Sequence, residues 1–372
     1  MCSKLAMAIS GWFTLVLILL WSGYGLCQES KTSDLMPQEQ IPSLIQSIRF
    51  KKDIHFCGVK IPLDNIEVRH RLEKEMLLAL WRRPQVILWI KRGAKYFPHI
   101  GKILSQNMLP MDLKYVPVVE SALRPHASSS AGAVGYWQFL KSTARKYGLQ
   151  VDTRIDERRN LFKSTKAACR YIKDLHGEFG SYLLALSAYN MGENGLKAEI
   201  ESQKTRDYFS LYLSLETQRY IFKIIAAKLI LENPKAYGFD LMPSDLYPVF
   251  RSSKLEFNSD QDIPISLIAQ AAGVSFKTIK HMNPQIRGYE LGPGQTVVMV
   301  PVGKEKGFKE KFAAAHKNWR SDTRLRFHVV KPGESLIGIA KKYNLSVTSL
   351  LRLNKCSLNK VIHPGDRLVV RY

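Results

Sequence analysis

The segment Val118-Val-Glu-Ser-Ala-Leu-Arg-Pro-His-Ala-Ser-Ser-Ser-Ala-Gly-Ala-Val-Gly-Tyr-Trp-Gln-Phe-Leu140 runs from an apolar helix end, through a loop of small residues, to an aromatic pair. Glu120 follows Pro117, Val118 and Val119, which predicts a partly desolvated carboxyl. Desolvation disfavours the charged form and raises the pKa, as a general acid near neutral pH requires. On these residues alone, a surface Glu at a helix end is an equal alternative. The loop from Ser128 to Gly135 leaves room for a bulky ligand. Trp137 and Gln138 then offer a flat apolar face and an amide, the combination that sugar rings with hydroxyl and acetamido groups need. Trp137 fits a core position equally well. His126 has no metal partner four residues on and reads as a surface loop residue.

Outward from this segment the pattern is helical, from Pro62 to about Pro234. Ile66, Val68, Leu72, Met76, Leu77 and Leu80 recur at three- and four-residue spacings, which predicts an amphipathic helix over 65–80. Further helices are expected over 84–100, 112–122, 138–147, 164–178, 182–189 and 217–232. Together they make an all-α domain, placed at 61–240, with 28–60 a polar N-terminal linker.

Beyond about Leu246 short β-like runs alternate with short helices. The last unit, 326–372, reads β-α-α-β: a strand at Phe327–Val330, a turn at Pro332-Gly333, and a helix with Ser335 as N-cap. A second helix carries Val347, Leu350, Leu351 and Leu353 and ends at Asn354. The turn Pro364-Gly365-Asp366 leads into the last strand. Residues 250–302 form a weaker copy, with Ile265, Leu267, Ile268, Ala271, Val274, Ile279 and Asn283-Pro284, and the two copies constitute an internal repeat. The basic stretch 303–325 reads as a solvated helix and linker between them. The fold class is thus multidomain: an all-α domain followed by small α+β modules.

The 372-residue chain has 55 Lys and Arg against 32 Asp and Glu, a formal charge of +23, which calls for a polyanionic partner. Lys4, the apolar run from Leu5 to Trp21, and the small-residue exit Ser22-Gly-Tyr-Gly-Leu-Cys27 have the layout of an export signal. Three readings of residues 1–27 stay open: a signal cleaved after Gly25, a retained membrane anchor, or a lipoprotein acylated at Cys27. Export argues against nucleic acid as the partner, and no RNA- or DNA-binding motif occurs. Cys57, Cys169 and Cys356 lie far apart, with no CxxC or Cys/His cluster, so neither a zinc site nor a dense disulfide framework is supported. Cys57 and Cys169 are expected to be buried free thiols.

Taken as an ordered set, the motifs resemble a known family. Glu120-Ser121, then Ser129-x-x-Gly132-Ala133-x-Gly135, then Trp137-Gln138-Phe139, are similar to the active-site signature of the lysozyme-like lytic murein transglycosylases, in their membrane-bound D-type subgroup. Asp156-Glu-Arg158-Arg159-Asn160 with Ser164-Thr165, Ala188-Tyr189-Asn190-x-Gly192, and Glu216-Thr217-x-x-Tyr220 resemble the later blocks. Asn160 and Met191 depart from the pattern, an Asp and a small residue being more usual. The terminal β-α-α-β unit resembles a LysM module.

The resemblance implies a lysozyme-like fold and cleavage of the MurNAc–GlcNAc bond of peptidoglycan, in the periplasm, by a monomer that uses no cofactor. Glu120 would act alone, as acid and then as base, closing a 1,6-anhydro ring. Ser121, Ser129, Gln138, Tyr189, Asn190 and Tyr220 would line the groove, with Tyr189 facing the acid. Asp156 and Glu157 are expected to pair with nearby Arg residues. Glycan would meet the LysM module at Gly333, Glu334, Ser335, Leu336 and Asn354. Two alternatives remain: a hydrolase of the goose-lysozyme kind, with Glu193 as second carboxylate, and a non-catalytic wall-binding scaffold.

Overall fold

The computed structural model describes residues 42–50, 52–321 and 326–370. The expected export segment 1–27 and much of the expected linker lie outside the described residues. After a short helix α1 (Leu44–Ser47), strands β1 (His55–Phe56) and β2 (Val59–Lys60) pair as an antiparallel hairpin. Ile54, Phe56 and Ile61 are buried in the helical core. The helical domain therefore begins before residue 61, and the second half of the expected linker belongs to it, because these apolar side chains have a core to enter.

Helices α2 (Ile66–Trp81), α3 (Arg83–Gln106), α4 (Val116–Ser121), α5 (Lys141–Lys146), α6 (Leu161–Phe179), α7 (Tyr182–Met191), α8 (Glu193–Gln203) and α9 (Leu215–Glu232) follow. α9 is buried nearly all round, through Tyr220, Ile221, Phe222, Ile224, Ile225, Ala226, Ala227 and Ile230. A helix apolar on every side belongs at the centre of a domain, and α2, α4 and α7 all pack on it. That packing is what brings α9 against α4, the carrier of Glu120.

The element boundaries differ from expectation for local reasons. α3 continues six residues past Ile100, because Pro98 removes only one helical hydrogen bond and does not end a helix held by its neighbours. The helix expected from Gln138 starts only at Lys141, since Gln138 has a left-handed φ of 47° and Val134 bridges Phe139. α8 was not expected: only Leu196 of it is buried, so it has no periodic apolar face. α6 starts at Leu161 because the Asn160 side chain caps it, accepting from the Lys163 N–H at 3.0 Å.

The repeat is visible in three dimensions. In the first module β3 (Ser253–Ser259), β4 (Ile263–Pro264), α10 (Ile265–Ala272), α11 (Phe276–Met282), β5 (Glu290–Leu291) and β6 (Gly294–Val300) follow in order, and β3 pairs antiparallel with β6, Leu255 opposite Val298. Helix α12 (Phe308–Ser321) follows it. In the second module β7 (Arg326–Val329), α13 (Leu336–Lys342), α14 (Val347–Leu353) and β8 (Arg367–Val370) repeat the plan, with His328 opposite Leu368. Each copy is closed by the same asparagine clamp. Asn283 donates to the Ile279 and Met299 carbonyls, both at 2.8 Å, and accepts from the Met299 N–H at 2.8 Å. Asn354 donates to Leu350 and Val369, at 2.8 and 2.9 Å, and accepts from the Val369 N–H at 2.7 Å. The basic stretch 303–325 is more than a solvated connection: α12 buries Phe308 and Phe312 against the first module, an apolar pair its many charges concealed.

The first module also bonds to the helical domain, through Asp156 N–H to the Gln285 carbonyl and Arg287 N–H to the Arg154 carbonyl, both 2.8 Å. Arg154 pairs with Asp262 at 2.7 Å, and Asp262 also meets Arg352 of the second module. Among the described residues no helix is long and apolar enough to cross a membrane. Cys57, Cys169 and Cys356 are free thiols.

Candidate active site

α4 is a short helix that delivers one carboxyl. It ends at Ala122 and Leu123, both left-handed, with φ of 51° and 57°. A non-glycine residue in this region is strained by about 1–2 kcal/mol. What holds the turn is burial of Leu123 in the core and donation from Arg92 to the Ala122 carbonyl at 3.0 Å. The reversal leaves Glu120 half-buried between α4 and α9. Burial pushes its carboxyl up to about 7; the Glu216 charge adds to this, while a hydrogen bond from Tyr220 and the charge of Lys223 pull the other way. The Tyr220 hydroxyl donates directly to Glu120 Oε1.

The loop that follows is held by a buried ion pair. Asp156 is 1% exposed and receives the Arg158 guanidinium in a fork, Nε to Oδ1 at 2.8 Å and Nη2 to Oδ2 at 3.0 Å. Nη1 of the same arginine donates to the carbonyls of Gly132 and Phe139, at 3.1 and 3.0 Å. Asp156 thus partners Arg158, as the sequence suggested, and through it fixes both ends of the loop beside Glu120. Glu157 accepts from the Gln150 N–H and pairs with Lys163.

Gly135 lies in the same loop with φ of 89°, and a Cβ there would stand 2.0 Å from the Arg158 carbonyl oxygen. Gly135→Ala should therefore destabilise the domain by about 3 kcal/mol or more, from backbone strain together with a clash that a carbonyl cannot avoid. Chemical denaturation of the two proteins measures it. An alanine variant as stable as the parent would show that the loop can move away from Arg158.

The remaining expected residues take several roles. Trp137 is fully buried and donates from Nε1 to Thr165 Oγ1 at 3.0 Å; it is core and presents no stacking face. Ser121 is 3% exposed, with its hydroxyl on the carbonyls of Pro117 and Tyr136 at 2.9 and 2.8 Å. It ties α4 to the loop and has no freedom to touch substrate. Gln138 donates its amide to Gly135 and Ala127, at 2.8 and 3.2 Å, so only its Oε1 is left for a ligand. Ser129 is exposed; its Oγ accepts from the Ala133 N–H at 3.1 Å and its hydroxyl hydrogen is free to donate.

Asn190 accepts from Thr217 at 3.0 Å, joining α7 to α9. Tyr189 donates to the Trp137 carbonyl at 2.5 Å. Its phenol is held far above the usual range by burial and by the Glu120 charge, so it stands near the acid without bonding to it. Tyr220 takes the place expected of Tyr189. His126 accepts from Arg159 at 2.9 Å. Glu193 lies 3.9 Å from Lys146, and its charge helps to hold the Tyr171 phenol above its usual range. The carboxylate whose charge most affects Glu120 is Glu216, itself paired with Lys223 at 2.8 Å.

In the second module the side chains expected at the glycan are engaged within the fold. Glu334 is held well below the usual carboxylate range, at about 2, by the Lys331 N–H and by His328, which it meets at 2.5 Å. Ser335 caps α13, accepting from the Gly338 N–H at 3.1 Å. Leu336 is buried in the module's core, and Asn354 is the clamp. These four side chains build the loops and are not free for a ligand, while Gly333 supplies the turn, with φ of 81°. The apolar side chains that face solvent nearby are Ile337, at the start of α13, and Leu358 and Val361, on the loop before β8. Leu358 and Val361 were not among the expected contacts, although an apolar residue in a turn-rich loop is a readable signal.

A helical domain with one raised carboxyl beside a glycine-rich loop, followed by paired β-α-α-β modules, defines a class. The Transglycosylase SLT domain family matches residues 99–211, and the LysM domain family matches residues 265–299 and 328–371. The chain carries a transglycosylase SLT domain and LysM domains, and the first module, though the weaker copy, is among them. Membrane-bound lytic murein transglycosylase D of Escherichia coli (strain K12) is 34% identical over 288 residues, 73% of this chain and 62% of that protein. The chain thus spans less than two thirds of that relative's length. Peptidoglycan transglycosylase gp16 of Escherichia phage T7 is 35% identical over 116 residues, 30% of this chain and 9% of that protein. Among solved structures, the 70 kDa soluble lytic transglycosylase of Escherichia coli is similar with a TM-score of 0.34 and 14% identity, over 48% of this chain and 33% of that one.

Proposed function

We propose that this chain is a lytic transglycosylase that cleaves the β-1,4 bond between MurNAc and GlcNAc in peptidoglycan, leaving a 1,6-anhydro-MurNAc end. The observation that carries the reading is the Glu120 carboxyl, pushed up to about 7 by burial and engaged by Tyr220. Near neutral pH it holds a proton in part of the molecules and can give it to the departing glycosidic oxygen. The resulting carboxylate then removes the proton of the MurNAc C6 hydroxyl, whose oxygen attacks C1. The proton lost in the first half is regained in the second, and no water is consumed. Ordinary glycosidases set a second carboxylate at a defined distance; here Glu193 is engaged with Tyr171 and Glu216 with Lys223, which supports a one-carboxylate route over a hydrolase.

Tyr220 tunes the acid. Its hydrogen bond stabilises the carboxylate, so Tyr220→Phe raises the pKa of Glu120 further. Since protonated acid is lost as pH rises through that pKa, the alkaline limb of the pH–rate profile should move to higher pH in the variant. Muropeptide release measured across pH 5–9 reads it; an unmoved limb would mean that Tyr220 does not govern the acid.

Substrate affinity is shared. The second LysM module would hold glycan through Ile337, Leu358, Val361 and the backbone of its loops, raising the local concentration of the wall at Glu120. The net charge of +23 adds attraction to an anionic wall. Periplasmic action, with membrane association through residues 1–27, fits the export layout of the sequence and the membrane-bound name of the E. coli relative. The test of the function is release of soluble muropeptides from purified peptidoglycan by the full chain. No release, with the protein still sedimenting with the wall, would favour a binding scaffold.

A further inference from the structure

A cavity of about 1160 Å³ lies away from Glu120, between the helical domain and the first LysM module. It is larger than the roughly 300–1,000 Å³ usual for small-molecule sites. One wall is the outer face of the β3–β6 sheet. Leu255, Val298 and Val300 point into the module's core, so by strand alternation Lys254, Glu256, Val297 and Met299 face the cavity. Opposite stand α3 and the start of α6, where His99 and Phe162 form an aromatic patch with Phe250, at ring separations of 5.2 to 6.2 Å.

The charge on these walls is in positive excess. Of the three acidic side chains that line it, Asp152 caps its own turn through the Arg154 and Ile155 N–H groups and Glu157 is taken by Lys163, while Glu256 makes no ion pair among the described residues. Lys102, Lys166, Arg251 and Lys254 also line the cavity and make no ion pair among the described residues. Gln285 adds an independent sign: it lines the cavity, is 7% exposed, and its Oε1 has no hydrogen-bond partner. A buried amide oxygen without a donor is destabilising by about 1–3 kcal/mol and calls for an N–H or O–H.

We propose that this cavity is a second binding site, taking an acidic, extended peptide. Carboxylates would meet the lysines on both walls, the chain would lie across Val297, Met299 and the aromatic patch, and an amide N–H would satisfy Gln285. An inorganic anion would leave the apolar walls uncovered, and a neutral sugar would leave the cations unused. That the peptide comes from the stems of the wall rests on the proposed function; the site itself does not.

The experiment uses the full chain with Glu120→Gln and a fluorescently labelled alanyl-γ-glutamyl-diaminopimelate, blocked by the label at its N-terminus. Fluorescence anisotropy should show saturable binding that weakens about tenfold in a chain that also carries Lys102→Glu and Lys254→Glu. Both lysines are exposed, so the unfolding midpoint should stay unchanged. Diacetylchitobiose and inorganic phosphate run as competitors should displace the peptide poorly. Absence of saturable binding, indifference to the charge reversals, or equal displacement by phosphate would each overturn the proposal. Muropeptide release by the unmodified chain is scored separately. If anhydro ends form but the peptide does not bind, only this inference falls; if the peptide binds and nothing is cleaved, the site stands and the function falls.

Discussion

Glu120→Gln should lower muropeptide release by about a thousandfold, in the range that loss of a positioned general acid produces. Gln keeps the shape and can still accept from Tyr220, so the loss reports the proton and not the packing. The same variant should be more stable than the parent above pH 7. The carboxyl of Glu120 has a folded pKa of about 7, raised by burial above its ordinary 4.5. Between those values the folded state binds more protons than the unfolded one, so stability falls as pH rises and the loss is complete above the folded pKa. Gln carries no such penalty. Thermal unfolding at pH 5 and pH 8 separates the two proteins: the gap should open on the alkaline side. A variant that is inactive but no more stable at pH 8 would mean that Glu120 is not held in a desolvated site.

The second large effect is structural. Asp156→Ala should cost about 3–5 kcal/mol, because it leaves the buried Arg158 guanidinium without a countercharge. It should also reduce activity, since Arg158 holds the carbonyls of Gly132 and Phe139 on either side of the loop beside Glu120. Adding Arg158→Met to Asp156→Ala should recover part of the stability and little of the activity. Burial opposes ionisation of Asp156, yet the Arg158 and Arg159 charges hold its carboxyl below the usual range. Its contribution is therefore present at neutral pH and lost as pH falls through that lowered pKa. Denaturant midpoints for the single and double variants measure the effect. A single variant within about 1 kcal/mol of the parent would refute the orphaned-charge account.

What the sequence revealed of this protein follows the range of the interactions involved. The context of Glu120 was legible because its desolvation is announced by three adjacent apolar residues. The cap at Ser335 was written next to the helix it starts. The β-α-α-β repeat was readable because each copy carries its own turns and its own asparagine.

Partners distant in sequence were less accessible. Tyr220 reaches Glu120 across 100 residues; its motif placed it in the groove, but nothing local showed that it, and not Tyr189, bonds the acid. Trp137 had the composition of a sugar platform, but Thr165 receives its indole N–H in the core. Ser121 and Asn354 sit in the right motifs, yet their polar atoms satisfy backbone groups. A polar residue beside a site is as often a builder of the loop as a contact for the ligand, and only the hydrogen-bond partners tell the two apart. The packing of α12, expected as a solvated helix, was hidden for a different reason: its charges outnumber the two phenylalanines that hold it to the first module.

The most direct test of the central claim, that Glu120 alone cleaves glycan by transglycosylation, is the mass of the new ends released from purified peptidoglycan. The account predicts 1,6-anhydro-MurNAc ends, one water lighter than hydrolysed ends, formed by the parent protein and absent with Glu120→Gln. Reducing ends carrying the added water would contradict it and would make Glu193 or Glu216 the second carboxylate of a hydrolase.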